Sequence, residues 1–109
     1  MLEWKPLEKR EQLLEIVARS ASVPQLIFKH STRCSISSMA KNRLERETPP
    51  ADVDFYFLDL LRHREISNEI AEVFKVDHES PQVILIKNGE SIFDVSHNGV
   101  SMASVVSAL

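Results

Sequence analysis

The stretch Gln25-Leu26-Ile27-Phe28-Lys29-His30-Ser31-Thr32-Arg33-Cys34-Ser35-Ile36-Ser37 decides how this chain is read. Gln25 to Lys29 is a short apolar run of the length and type of a strand buried on both faces. His30 to Arg33 end that run, and Ser35 to Glu47 then reads as a helix on which Ile36, Met39, Ala40, Arg43 and Leu44 share a side. The single cysteine of the chain, Cys34, therefore stands where a central strand hands over to a helix.

Toward the N-terminus, the stretch from Leu7 to Ala21 places Leu7, Leu14, Val17, Ala18 and Ala21 on one face, which predicts a first helix. Downstream, Thr48-Pro49-Pro50 stops the second helix because neither proline continues it, and Val53 to Asp59 has the aromatic and β-branched content of a strand. Ile66, Ile70 and Phe74, with Ala71 and Val73 beside them, predict a third helix over Arg64 to Lys75. Asp77-His78-Glu79-Ser80-Pro81 is a polar loop before a strand from Val83 to Lys87. Asn88-Gly89 tolerates positive φ at both centres of a two-residue turn, with Ser91 to Ser96 as the partner strand of a hairpin. Gly99 turns the chain, Ser101 has the chemistry of an N-cap, and Met102, Val105, Val106 and Leu109 carry a last helix. The predicted order is α-β-α-β-α-β-β-α, an α/β fold. Strand–helix–strand units pair in parallel and the hairpin antiparallel, which gives a mixed four-stranded sheet flanked by helices.

At 109 residues, 43% hydrophobic and 27% charged, without repeats or a linker, the chain reads as a single domain over 1–109. A core of that size needs neither disulfides nor a structural metal. A net charge of −3 lacks the basic footprint of a nucleic-acid binder, so no nucleic-acid partner is expected. No segment approaches the roughly 18 apolar residues of a membrane span. Met1-Leu2-Glu3-Trp4-Lys5-Pro6 lacks the basic-then-apolar order of a secretory signal, and with one unpaired cysteine the expected location is the reducing cytoplasm.

The chemistry centres on Cys34. Unpaired N–H groups and the dipole at a helix N-terminus favour a thiolate. From Lys29 to Arg43 the chain carries Lys29, Arg33, Lys41 and Arg43 and no acidic residue, a local reversal of sign in an acidic protein. A cysteine is often just a small buried hydrophobe, but position and charge together point to a reactive thiol. Cys34-Ser35-Ile36-Ser37 has Cys-x-x-Cys spacing with serine in place of the second thiol, so any mixed disulfide formed on Cys34 awaits an external thiol. Ser37 is placed either to hydrogen-bond the thiolate or to serve as a helix-start serine. Ser80-Pro81 reads either as simple strand initiation or as a cis-proline loop whose backbone receives an extended substrate. His30, His78 and His97 fall near strand ends, where they are placed to polarise a thiol or hold a carboxylate. His63, beside Arg62 and Arg64, reads as surface. His30 and Cys34 alone complete no ligand set, so no metal is expected. Trp4, with Pro6, reads as a pin holding the N-terminal arm to the core.

The element order, the cysteine at a strand-to-helix junction and the proline before the hairpin resemble the thioredoxin fold. More closely, Phe28-Lys29-His30-Ser31-Thr32-Arg33-Cys34-Ser35-Ile36-Ser37, His78-Glu79-Ser80-Pro81-Gln82, Ile86-Lys87-Asn88-Gly89-Glu90 and Ser96-His97 resemble the monothiol bacilliredoxin family. Those blocks span residues 28 to 97. The family's active site reads Thr-x-Cys-Pro-Ile-Ser, and Ser35 stands here where its proline is expected, leaving the nucleophile and Ser37 in place.

The resemblance implies a cytoplasmic thiol–disulfide oxidoreductase with the co-substrate bacillithiol, a low-molecular-weight thiol whose cysteine carries malate and glucosamine. Under it, Cys34 and Ser37 are the catalytic pair. Thr32, Arg33, Lys29, Lys41, Ser80, Pro81 and His97 line the substrate, with Lys29, Arg33 and Lys41 suited to malate carboxylates. The expected partners are bacillithiolated proteins. Two alternatives belong to other classes. One is a glutaredoxin-like dimer carrying an iron–sulfur cluster on Cys34, against which Ser35-Ile36 is bulkier than the glycine usual after such a cysteine. The other is a redox-silent thioredoxin-fold binding module with Cys34 buried.

Overall fold

The structure, a computed structural model, describes residues 2–109; Met1, the first residue of the expected domain, lies outside them. Its elements are β1 (Trp4–Pro6), α1 (Glu11–Arg19), β2 (Gln25–His30), α2 (Ser35–Arg46), β3 (Asp54–Asp59), α3 (Arg64–Phe74), β4 (Gln82–Lys87), β5 (Glu90–Ser96), a 3-10 turn (His97–Gly99) and α4 (Met102–Ala108). The sheet has five strands in the order β1-β3-β2-β4-β5. The expected four-stranded sheet lacked β1. This strand has only three residues and ends in Pro6, a composition without strand signal but suited to an edge, where a missing N–H leaves no gap in the ladder.

β1 and β2 both pair parallel to β3, β4 pairs antiparallel to β2, and β5 antiparallel to β4. Alternation along these strands feeds two cores. Ile27, Tyr56, Leu58, Ile84 and Ile86 meet Leu13 and Ile16 of α1 and Ile66, Ile70 and Phe74 of α3. Leu26, Phe28, Phe55, Val83 and Leu85 meet Ala40 and Leu44 of α2 and Met102 and Val105 of α4. Buried on both faces, β2 is the central strand expected from its unbroken apolar run.

Two helices present a different face from the one expected. In α1, Leu13 and Ile16 are buried while Leu14 is 75% exposed. Leu7 is not helical at all: its N–H donates to the Phe57 carbonyl at 2.9 Å, continuing the β1 pairing, and the helix begins four residues later. That later start sets the phase by Leu13 rather than by Leu7 and Leu14. In α2 the inward stripe is Ser37, Ala40 and Leu44, and Ile36 and Met39 face outward. At the hairpin, Asn88 and Gly89 have φ of 54 and 76°, the two positive values a primed turn requires. Ser101 caps α4, its hydroxyl accepting from the Ser104 N–H at 3.2 Å.

Candidate functional site

The register brings four connections to one edge of the sheet. His30 pairs with Asp59, Lys29 with Gln82, and Gln82 with Ser96, so β2 and β3 end, β4 begins and β5 ends side by side. Residues 31–34, 60–63, 77–81 and 97–101 therefore converge there. The Leu60 N–H donates to the His30 carbonyl and the His97 N–H to the Pro81 carbonyl, both at 2.9 Å, which ties the connections in pairs.

Cys34 is the N-cap residue of α2, with extended φ and ψ of −107 and 120°. Its N–H donates to the Ser31 carbonyl at 3.2 Å and its carbonyl accepts from the Ser38 N–H at 3.1 Å, so the backbone holding the thiol is anchored on both sides. The thiol is free and half-buried, not sealed in the core. Ser35 to Ser37 are the first residues of the helix, whose opening N–H groups lack intrahelical acceptors, and no acidic residue sits in that turn. The thiol thus sits at the end of α2 where its dipole is positive.

Ser37 is fully buried, but its hydroxyl is committed elsewhere than the thiol. Its Oγ lies 2.7 Å from His30 Nδ1 and accepts from the Ser31 N–H at 3.0 Å. The expected hydrogen bond to the thiolate is thus replaced by a clamp joining β2, the Cys34 loop and α2. His30 is 5% exposed, with Phe28 and Phe57 rings about it at 5.7 and 5.3 Å between centroids. Burial, reinforced by the charge of Lys41, lowers its pKa and favours the neutral imidazole.

The cations expected around the site divide. Arg33 is exposed next to Cys34, and Thr32 is exposed beside it. Lys29 is fully buried on the opposite face of β2 from His30, which corrects its expected role against substrate carboxylates. Its amine donates to the Ser67 carbonyl at 3.2 Å and lies 3.3 Å from His78 Nδ1. Burial pushes its pKa down to about 8. Lys41 lies two turns along α2, bonded to Glu45 at 3.0 Å and 5.7 Å from the Phe57 ring centre. It is paired and turned toward β1 and β3.

The Ser80–Pro81 peptide is cis, directly before β4, and among the described residues the buried Ser80 hydroxyl has no partner. Pro81 immediately precedes Gln82, the partner of Lys29, so the register carries it next to His30 and the Cys34 loop. His97, at φ 57°, is exposed, with Nε2 3.9 Å from Glu79. Cys34, Thr32, Arg33, Ser80, Pro81 and His97 thus share this edge, while Lys29 and Lys41 are drawn away. Trp4 is pinned as expected: it stacks on Phe28 at 5.5 Å and donates from Nε1 to Glu45 at 2.7 Å. Sequence reasoning missed the His30–Ser37 clamp and the Lys29–Ser67–His78 cluster, since the partners are distant in sequence or on opposite faces. Among the described residues, no group of three or more His, Cys, Asp or Glu side chains is placed to hold a metal, and no helix is long and apolar enough to cross a membrane.

A lone thiol capping the helix that follows a central strand, with a cis-proline loop at the same edge of a mixed sheet, defines a thioredoxin-fold thiol oxidoreductase. Solved structures agree. A protein described as a candidate oxidoreductase with a thioredoxin fold superposes with a TM-score of 0.78 at 29% identity, over 94% of this chain and 90% of that one. Malassezia sympodialis thioredoxin gives 0.75 at 19% identity over 97% and 87%, and spinach chloroplast thioredoxin f 0.71 at 15% over 97% and 89%. Residues 5–105 match the family model described as monothiol bacilliredoxin BrxC, and the chain belongs to that family. Its function is accordingly thiol redox chemistry with a thiol partner.

Proposed function

We propose that this protein, acting as one domain over 1–109 in the cytoplasm, removes bacillithiol from protein mixed disulfides through Cys34. The Cys34 thiolate attacks the bacillithiol sulfur of the mixed disulfide. The old S–S bond breaks, the repaired protein leaves as a thiolate and takes a proton from water, and bacillithiol is now disulfide-bonded to Cys34. A second bacillithiol thiolate attacks that bacillithiol sulfur, releasing Cys34 as a thiolate and bacillithiol disulfide as product. The mixed disulfide and one free bacillithiol thus become the protein thiol and bacillithiol disulfide, with Cys34 regenerated.

The observation that carries this reading is the placement of a half-exposed, lone thiol at the N-cap of α2, with Ser37 in the position of a resolving cysteine and already bonded to His30. The opening N–H groups of α2 favour the thiolate both as attacking and as leaving group. Thr32, Arg33, Ser80, Pro81 and His97 surround the incoming disulfide, the backbone at Ser80-Pro81 receiving it in extended form. Cys34 partly open to solvent also argues against a redox-silent module that keeps it buried.

Intact-protein mass spectrometry after mixing the reduced chain with a bacillithiolated protein tests the reading. Bacillithiol is expected on Cys34 and absent from the Cys34→Ser variant, with a glutathionylated substrate reacting more slowly. Demodification that persists in Cys34→Ser would end this mechanism.

A further inference from the structure

The seven arginines of the chain divide by what holds them. Arg10 pairs with Glu69 and Arg19 with Asp54, while Arg43 and Arg46 donate from Nε to the carbonyls of Val100 and Asn42. Among the described residues, the side chains of Arg33, Arg62 and Arg64 have neither an ion pair nor a hydrogen bond. These three are exposed, and they stand on the catalytic edge. Arg33 precedes Cys34, and Arg62 and Arg64 lie where β3 passes to α3, the connection tied to the Cys34 loop through Leu60 and His30.

Among the described residues, none of the nearby carboxylates pairs with these guanidiniums. Asp59 accepts from the N–H groups of Leu61 and Arg62, Glu79 faces His97, and Glu65 acts on Arg10. Asp77 is the remaining acidic side chain at the edge. In a chain of net charge −3, the edge that carries the thiol thus holds three guanidiniums open to an incoming carboxylate. Leu61, 38% exposed, sits beside Arg62, and Ile36, 43% exposed, sits beside the thiol. Exposed apolar side chains among arginines are the composition of a protein interface.

We propose that the catalytic edge docks the protein half of the mixed disulfide through acidic side chains flanking its cysteine, with Arg62, Arg64 and Arg33 as the selecting contacts. The inference rests on the reading of Cys34 as the exchanging thiol. The protein half rather than the small thiol is the occupant because the guanidiniums come from two separate connections with apolar surface beside each. Long, exposed cations of this kind steer encounter and discriminate between partners more than they add affinity.

Cysteine peptides with acidic, neutral or basic flanks, each activated as a thiopyridyl disulfide, test the surface on the full chain. The Cys34 thiolate attacks the peptide sulfur, forms the Cys34–peptide disulfide and expels thiopyridone, whose absorbance gives the rate. The acidic peptide is expected to react about tenfold faster than the basic one at low ionic strength. That ratio should collapse in Arg62→Gln/Arg64→Gln and in high salt, and survive in Arg46→Gln. Equal rates for the peptides, or a preference unchanged in the double variant, would overturn the proposal. A neutral peptide carrying a carboxylate-bearing thionitrobenzoate leaving group probes the small-thiol side. A double-variant effect that follows this group and not the peptide's flanks overturns the assignment to the protein half. The reaction needs only a nucleophilic Cys34. Lost charge selectivity with intact bacillithiol removal therefore refutes the docking surface alone, and charge selectivity without bacillithiol transfer supports the surface and refutes the proposed activity.

Discussion

A single hydroxyl organises the site at the scale of residues. Ser37 holds His30 and the Ser31 N–H at once, so its removal strands a buried imidazole nitrogen and a backbone donor. Ser37→Ala is expected to lower stability by about 1–3 kcal/mol in denaturant titrations. Because the hydroxyl is not bonded to the thiol, the same variant should leave the rate of Cys34 alkylation close to that of the parent. A large fall in that rate, with stability unchanged, would return Ser37 to the thiolate. Lys29 is the complementary case: from the sequence it reads as a cation suited to substrate carboxylates, yet β-strand alternation turns it to the face opposite His30. Among the described residues, no carboxylate hydrogen-bonds its amine, which meets the Ser67 carbonyl and His78.

Helices and turns show how an element's role follows from its phase. The two faces of α2 differ: Leu44 is buried against the sheet while Met39 is 61% exposed. Leu44→Ala is expected to cost about 2–5 kcal/mol, and Met39→Lys to change stability by less than about 0.5 kcal/mol. Equal costs in thermal or chemical unfolding would mean that the inward stripe is misassigned. At the other end of the chain, Ser101→Ala removes the cap of α4 and should cost about 1 kcal/mol. Gly89→Ala should cost a similar amount, about 1 kcal/mol. An added Cβ there would sit 3.5 Å from Val17, in ordinary contact, so that penalty is conformational, from φ of 76°.

Across the whole molecule, the buried histidines and Lys29 couple stability to pH in the same direction. Burial lowers the pKa of His30 and of His78, where Lys29 and Arg64 add repulsion, so below the ordinary histidine value of 6.5 the unfolded chain binds protons first. Stability held above that value is lost as pH falls through the folded-state titrations. Lys29 acts at the other end: with its pKa lowered from 10.5 to about 8, the unfolded chain again binds more protons between those values. Its contribution therefore rises with pH across that window, by about 3 kcal/mol at 1.36 kcal/mol per unit. Unfolding titrations from pH 7 to pH 10.5 should show this rise in the parent and lose it in Lys29→Met. A parallel pH profile in the variant would mean that Lys29 stays charged and hydrated, at its ordinary pKa, in the folded protein.

Several elements follow from local chemistry alone. These are the buried central strand, the helix that begins after Cys34, the Asn88-Gly89 hairpin, the Ser101 cap and the position of the lone thiol. Each rests on neighbours within a few residues, where periodicity, capping and turn chemistry act. The phase of α1 escaped because Leu13 and Leu14 offer two apolar faces, and only β1 and the later helix start choose between them. Strand β1 escaped because three residues ending in proline have no signal until β3 lies beside them. The same holds for the site. That Cys34 is a candidate nucleophile is legible locally, but Lys29 turning inward, Ser37 bonding His30 and three arginines converging on one edge are facts of strand register. Register joins residues far apart in sequence, so the surroundings of the thiol, and with them its choice of partner, were decided only when the sheet closed.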